Sequence, residues 1–265
     1  MRRIAYHRLP TERANPRSRN LDQLSPLAIV SLMNREDRQV LAAVHTVRRQ
    51  VAAAVELIVA SLRSGGRLFF VGAGTSGRLG VIEAAECAPT FGTPPSVVQA
   101  IVAGGRSAVF RSREGAEDRQ AEARQAIRRR VRRGDVVVGI SASGVTPFVR
   151  AALAQARQRK ARTVLLAMTP LSPVGRLADV VIAPRTGPEI LAGSTRLKAG
   201  SATKMVLDML TTGPMVRLGK VYGNRMVDLR ASSLKLRARG ERLVQELGGV
   251  SRTRARRLLQ AADGR

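Results

Sequence analysis

Residues 70–90 read FVGAGTSGRLGVIEAAECAPT. The apolar run Leu68, Phe69, Phe70, Val71 leads straight into Gly72-Ala73-Gly74-Thr75-Ser76-Gly77, and a helix-like stretch with two carboxylates, Glu83 and Glu86, follows. Strand, glycine turn and helix start, in that order, form an anion cradle, because free backbone N–H groups and the positive end of the helix dipole converge there. Glycines let the backbone approach a ligand closely, and Thr75 and Ser76 add hydroxyl donors. The turn is not a Walker A loop, since no Gly-Lys-Ser/Thr follows it. It has G-x-G-x-x-G spacing, but no acidic residue ends a second strand about 20 residues later, as a dinucleotide fingerprint requires.

The same order of elements recurs at Val136-Val137-Val138-Gly139-Ile140, an apolar run without alternation, as in the buried strands of parallel sheets. It ends in Ser141-Ala142-Ser143-Gly144-Val145-Thr146-Pro147. Helix capping by Thr146 with Pro147 at the first helical position accounts for part of this composition. A second anion loop accounts for it as well, and ligands of open α/β sheets sit at the carboxyl ends of strands. Hydroxyls in both loops suit a phosphomonoester. Further strands are predicted at 67–72, 97–102, 163–168 and 179–183, and helices at 118–133, 147–159 and 198–217. Alternation of this kind gives an α/β fold, a doubly wound parallel sheet flanked by helices. Residues 1–62 read as an arm and two N-terminal helices packing on the core, with Asn34-Arg35-Glu36-Asp37 as a cap between the helices. The sheet domain occupies 63–217, and 218–265 forms a short helical appendage whose last two helices are split by Gly248-Gly249.

The chain has 265 residues, 44% of them hydrophobic, and a net charge of +27. Of its 46 basic residues only 5 are Lys; with two Tyr, five Phe and no Trp to stack bases, the charge reads as an Arg-rich surface and no nucleic-acid partner is expected. Such a charge steers anionic substrates. No apolar run is long enough to span a bilayer and none follows the basic N-terminus, so neither a membrane partner nor a secretory signal is expected. One cysteine, Cys87, suits a cytoplasmic protein, and with only His7 and His45 beside it a zinc site is not expected.

Several long blocks together resemble the N-acetylmuramic acid 6-phosphate etherases of the sugar isomerase (SIS) superfamily. They are TERANPRSRNLD (11–22), MNREDRQV (33–40), GAGTSGRLGVIEAAECAPTFGTPP (72–95), EGAED (114–118), DVVVGISASGVTP (135–147), GPEILAGSTRLKAGSATKMVLDML (187–210) and GKVYGNRMVDL (219–229). The resemblance implies an SIS-type fold, a homodimer, and an enzyme without metal or redox cofactor. The implied reaction removes D-lactate from C3 of N-acetylmuramic acid 6-phosphate by elimination and then hydration, giving N-acetylglucosamine 6-phosphate. It also implies a pair of catalytic carboxyls, Glu86 as acid and Glu117 as base. Phosphate is expected on Thr75, Ser76, Gly77, Ser141, Ser143, Gly144 and Thr146. Sugar contacts are expected from Glu189, Ser194, Thr195 and Lys198, with Lys198 reaching the anionic ligand. The tail resembles the first helices of a ubiquitin-associated element. Two other readings share the fold: a sugar-phosphate-binding regulatory protein without turnover, and an aldose–ketose isomerase. Retention of both glutamates argues against the first, and the lack of a histidine near the loops against the second.

The family usually has Arg where this chain has Val145, proline where it has Ala88 and aspartate where it has Glu83. Spacing raises a further point. Glu86 lies ten residues beyond Ser76, about 15 Å along a helix, farther than a hexose spans from its 6-phosphate to C3. A site shared between two subunits resolves this, with Glu86 serving the neighbour and the apolar helices of 26–62 forming the interface.

Overall fold

A computed structural model of the chain describes residues 9–169, 172–228 and 234–262; the start of the arm, with His7, lies outside the described residues. Three short 3-10 turns, Pro10–Glu12, Pro16–Ser18 and Leu21–Gln23, lead into α1 (Pro26–Thr46) and α2 (Arg48–Arg63). Strands β1 (Leu68–Gly72), β2 (Val98–Val102), β3 (Val136–Ile140), β4 (Arg162–Leu166) and β5 (Val180–Ile182) are joined through α3 (Gly74–Phe91), α4 (Ser107–Phe110), α5 (Gln120–Arg130) and α6 (Pro147–Gln158). Helix α7 (Lys198–Arg217), a two-stranded ribbon of β6 (Val221–Tyr222) and β7 (Arg225–Met226), α8 (Leu234–Gly248) and α9 (Arg252–Ala261) complete the chain.

The five long strands form one parallel sheet in the order β2-β1-β3-β4-β5. The period of two in the strands divides their side chains between two cores. Leu68, Phe70, Val136, Val138 and Ile140 pack with Ile58 of α2 and Val206, Leu207 and Leu210 of α7. Phe69, Val71 and Val137 pack with Ile127 of α5 and Phe148, Val149 and Leu153 of α6. Both faces are covered, which is why these strands are apolar throughout.

One expected boundary moves. The polar run Asn34–Asp37 does not divide the N-terminal helices. Ser25 caps α1, its Oγ accepting from Ala28 N at 3.3 Å, and the helix runs on to Thr46. Glu36 does not cap because its carboxylate is turned into the protein, where other chain segments hold it. Helix α3 contains Pro89 and closes at Gly92, whose φ of 62° suits glycine and whose N–H reaches Ala88 O.

Candidate active site

Strand order reverses between β1 and β3, because β1 continues to β2 on one side while β3 continues to β4 on the other. A crevice opens at such a switch point beyond the carboxyl ends of the strands. Gly72 pairs with Ile140 across it, so the two hydroxyl-bearing loops start side by side. The first loop is very tight. A Cβ on Gly72 would lie 2.7 Å from Gly77 N, and one on Gly77 would lie 2.7 Å from Gly72 O. The second loop is wired from within. Ser141, 1% exposed, places its Oγ 2.7 Å from Thr146 Oγ1 and accepts from Gly144 N at 3.1 Å and Thr146 N at 3.4 Å. Gly144 sits at φ 72°, and its carbonyl accepts from the Ser172 hydroxyl.

The loops floor an open cleft of about 580 Å³. Thr75, Ser76, Ser143 and Thr146 face it, together with Thr195 from the turn before α7. Glu117 enters from the 3-10 turn Ala116–Asp118, which follows Gly115 at φ 71°, and is exposed in the cleft. Val145 is 5% exposed and lines the same cleft, so the second loop brings no charge of its own there. Cations come from elsewhere: Arg78, whose Nε donates to Val109 O at 2.9 Å, and Arg113.

Other expected site residues stand behind the surface. Gly77, Ser141 and Gly144 are buried and shape the loops, and Ser194 is half-buried without lining the cleft. Lys198 does not reach the cleft. It is 1% exposed, and its Nζ donates to Glu36 Oε2 at 2.7 Å. Glu189, also 1% exposed, accepts from Lys198 N and Ala199 N at 2.9 Å each, so it caps α7 rather than facing a sugar. Burial pushes its carboxyl above the usual range, and the two backbone donors partly offset this. The Lys198 role is not visible locally, because its partner lies 162 residues away.

Part of the cleft comes from a segment outside the expected site residues. Leu9, Thr11 and Glu12 of the arm form one of its walls, anchored where Gly193 N donates to Thr11 O at 3.1 Å. An irregular arm carries no periodicity, so nothing in its sequence announces where it lands.

Residues 50–157 match the glucokinase regulatory protein N-terminal SIS domain, and 117–213 match the SIS domain. An N-acetylmuramic acid 6-phosphate etherase from Trichormus variabilis is 55% identical over 253 residues, covering 95% of this chain and 82% of that protein. A protein of the same name from Nostoc sp. is 55% identical over 256 residues, covering 96% and 83%. The chain belongs to the N-acetylmuramic acid 6-phosphate etherase family. Solved structures agree on the fold. An Escherichia coli CFT073 protein in complex with A5P superposes with a TM-score of 0.56 at 19% identity, over 76% of this chain and 96% of that one. The Vibrio vulnificus NanR protein complexed with ManNAc-6P gives 0.54 at 18%, over 76% and 66%.

In this etherase-family chain the two expected catalytic carboxyls do not share a cavity. Glu86 is exposed on α3 and opens onto a separate hollow of about 410 Å³ formed with α7. Beside it Glu83 is buried. Its Oε1 accepts from the Thr211 hydroxyl, while Oε2 has no hydrogen-bond partner and lies 3.4 Å from Lys204 Nζ. Burial raises the Glu83 carboxyl; the Thr211 bond opposes this, and the nearby Asp208 adds to it. Among the described residues no group of three or more His, Cys, Asp or Glu is placed to hold a metal ion, and no helix is long and apolar enough to cross a membrane.

Proposed function

We propose that this chain cleaves the D-lactyl ether of N-acetylmuramic acid 6-phosphate, consuming water and releasing N-acetylglucosamine 6-phosphate and D-lactate. The observation that carries the proposal is 55% identity to an etherase of that name across 95% of the chain. The cleft adds chemistry that fits. Thr75, Ser76, Ser143 and Thr146, with the α3 and α6 N-termini, receive the phosphate. Glu117, in the same cleft, removes the C2 proton, which the C1 carbonyl of the open-chain sugar makes acidic. The C3–O bond then breaks, a C2=C3 double bond forms, and Glu86 protonates the departing ether oxygen. Water adds at C3, directed by Glu117, and C2 regains a proton.

Because Glu86 opens away from the cleft, we assign it to the cleft of a second copy in a homodimer. Ile82, 46% exposed, stands one turn before Glu86, and Leu27, Val30 and Leu41 of α1 are exposed as well. These apolar side chains supply surface for such an interface. The composition suits a cytoplasmic enzyme. Lactate release by wild-type protein tests the reaction; sugar-phosphate binding without lactate would instead favour a regulatory binding protein. Co-expressed Glu86→Gln and Glu117→Gln chains test the shared site. In a mixed dimer one cleft keeps both carboxyls, so random pairing restores roughly a quarter of wild-type activity. No recovery above either parent refutes the sharing.

A further inference from the structure

We propose that Glu12 contacts the sugar in the cleft, and that the buried set Asn15, Glu36 and Lys198 is what holds it there. The proposal rests on reading the cleft as a sugar-phosphate site. Glu12 is exposed at the end of the turn Pro10–Glu12 and lines the cleft that Ser76, Ser143 and Glu117 also face. Its carboxylate accepts from Thr11 Oγ1 at 3.2 Å. Thr11 is the one side chain that donates to Glu12 among the described residues, so the carboxylate keeps acceptor capacity for a ligand.

A carboxylate accepts hydrogen bonds and donates none. It repels a phosphate and attracts the donors of an amino sugar, namely ring hydroxyls and the acetamido N–H. Glu12 therefore gives the cleft a direction, with phosphate on the hydroxyl loops and the sugar body toward the arm. Gly193 makes room for it, since a Cβ there would lie 3.1 Å from Glu12 Oε2.

The arm is fixed three residues further on. Asn15, 5% exposed, donates through Nδ2 to Glu36 Oε2 at 2.7 Å and to Pro188 O at 3.2 Å. Lys198 Nζ donates to the same Glu36 oxygen. One buried carboxylate thus joins the arm, α1 and the start of α7, and the turn before α7 carries Gly193 and Thr195 into the cleft. Glu36 and Lys198 are positioning residues: they set the distance between the two walls.

The test is titration calorimetry with N-acetylglucosamine 6-phosphate and, separately, inorganic phosphate, which needs no turnover. Glu12→Ala should weaken the sugar phosphate about tenfold, or ~1.4 kcal/mol, with phosphate affinity unchanged or tighter and an unchanged melting temperature. Glu12→Gln, which keeps an acceptor oxygen, should recover part of the loss. Glu36→Gln should weaken the sugar phosphate in the wild-type background and add nothing to Glu12→Ala. Sugar-phosphate affinity that is unchanged in Glu12→Ala, or that rises in step with phosphate, overturns the contact and leaves the cleft assignment standing. Full additivity of the two substitutions overturns the positioning role. If wild-type protein binds neither probe, the cleft assignment itself fails, and the proposal with it.

Discussion

Replacing Lys198 with methionine removes the ammonium but keeps most of the side-chain volume, and it leaves the Glu36 carboxylate in a place built for a charge pair. Glu36 is 2% exposed. It would retain Asn15 Nδ2 at 2.7 Å, Gln39 Nε2 at 3.3 Å and Arg17 Nη1 at 2.8 Å, but the Arg17 side chain is 57% exposed, so water screens that partner. Removing one member of a buried pair costs about 3–5 kcal/mol. The titration of Glu36 gives a figure of the same order. Burial alone would raise its carboxyl, yet hydrogen bonds from Lys198, Arg17 and Asn15 outweigh burial and hold it at about 2, against an ordinary value of 4.5. A shift of that size corresponds to roughly 3 kcal/mol shared among all its partners. The folded value is depressed, so this contribution is complete above about pH 4.5 and disappears as pH falls toward 2. Urea unfolding near pH 7 should therefore show Lys198→Met destabilised by about 3–5 kcal/mol, a large part of a typical domain's stability. The difference between wild type and Glu36→Gln should shrink between pH 4.5 and 2. Glu36→Leu combined with Lys198→Met should regain much of the loss, because an apolar pair leaves no buried charge behind. A Lys198→Met loss under about 1 kcal/mol with an unchanged denaturant slope would refute the reasoning.

Glu86→Gln and Glu117→Gln should each lower lactate release by about 10²–10⁴-fold; both side chains are exposed, so melting temperatures should stay near wild type. Intact turnover in both would remove the carboxyl assignment. Gly144→Ala should destabilise the chain by about 1–3 kcal/mol and weaken phosphate binding, because Gly144 has φ 72° and a Cβ would meet Ser172 Cβ at 2.7 Å; calorimetry and thermal melts read both effects. Cys87 should resist a thiol reagent in the native protein at about pH 8 and react after unfolding. Burial, then the charges of Glu83 and Glu86, push its thiol up to about 12, and rapid native labelling would contradict that environment.

Much of this was readable along the chain. The apolar runs at 68–72 and 136–140 marked two buried parallel strands, and the glycine and hydroxyl residues after each marked loops at their carboxyl ends. Those signals are local: an unalternating strand and a tight turn need particular residues within a few positions of one another. Helix α7 was legible for the same reason, from Lys198 to Arg217. Asn34–Asp37 misled because a polar run looks the same whether its side chains cap a helix or pair with a distant segment.

The sequence by itself determined the doubly wound sheet, the two loops at its centre and the family. Tertiary structure alone decided which polar residues face the cleft. It sent Lys198 to Glu36 and Glu189 to the start of α7, laid Thr11 and Glu12 of the arm along the cleft, and put Glu86 on a hollow separate from that cleft. Residue spacing encodes the period of a helix or strand. It carries no record of which buried charge meets which, because that pairing is chosen only when separate segments leave water together and each charge must find a partner.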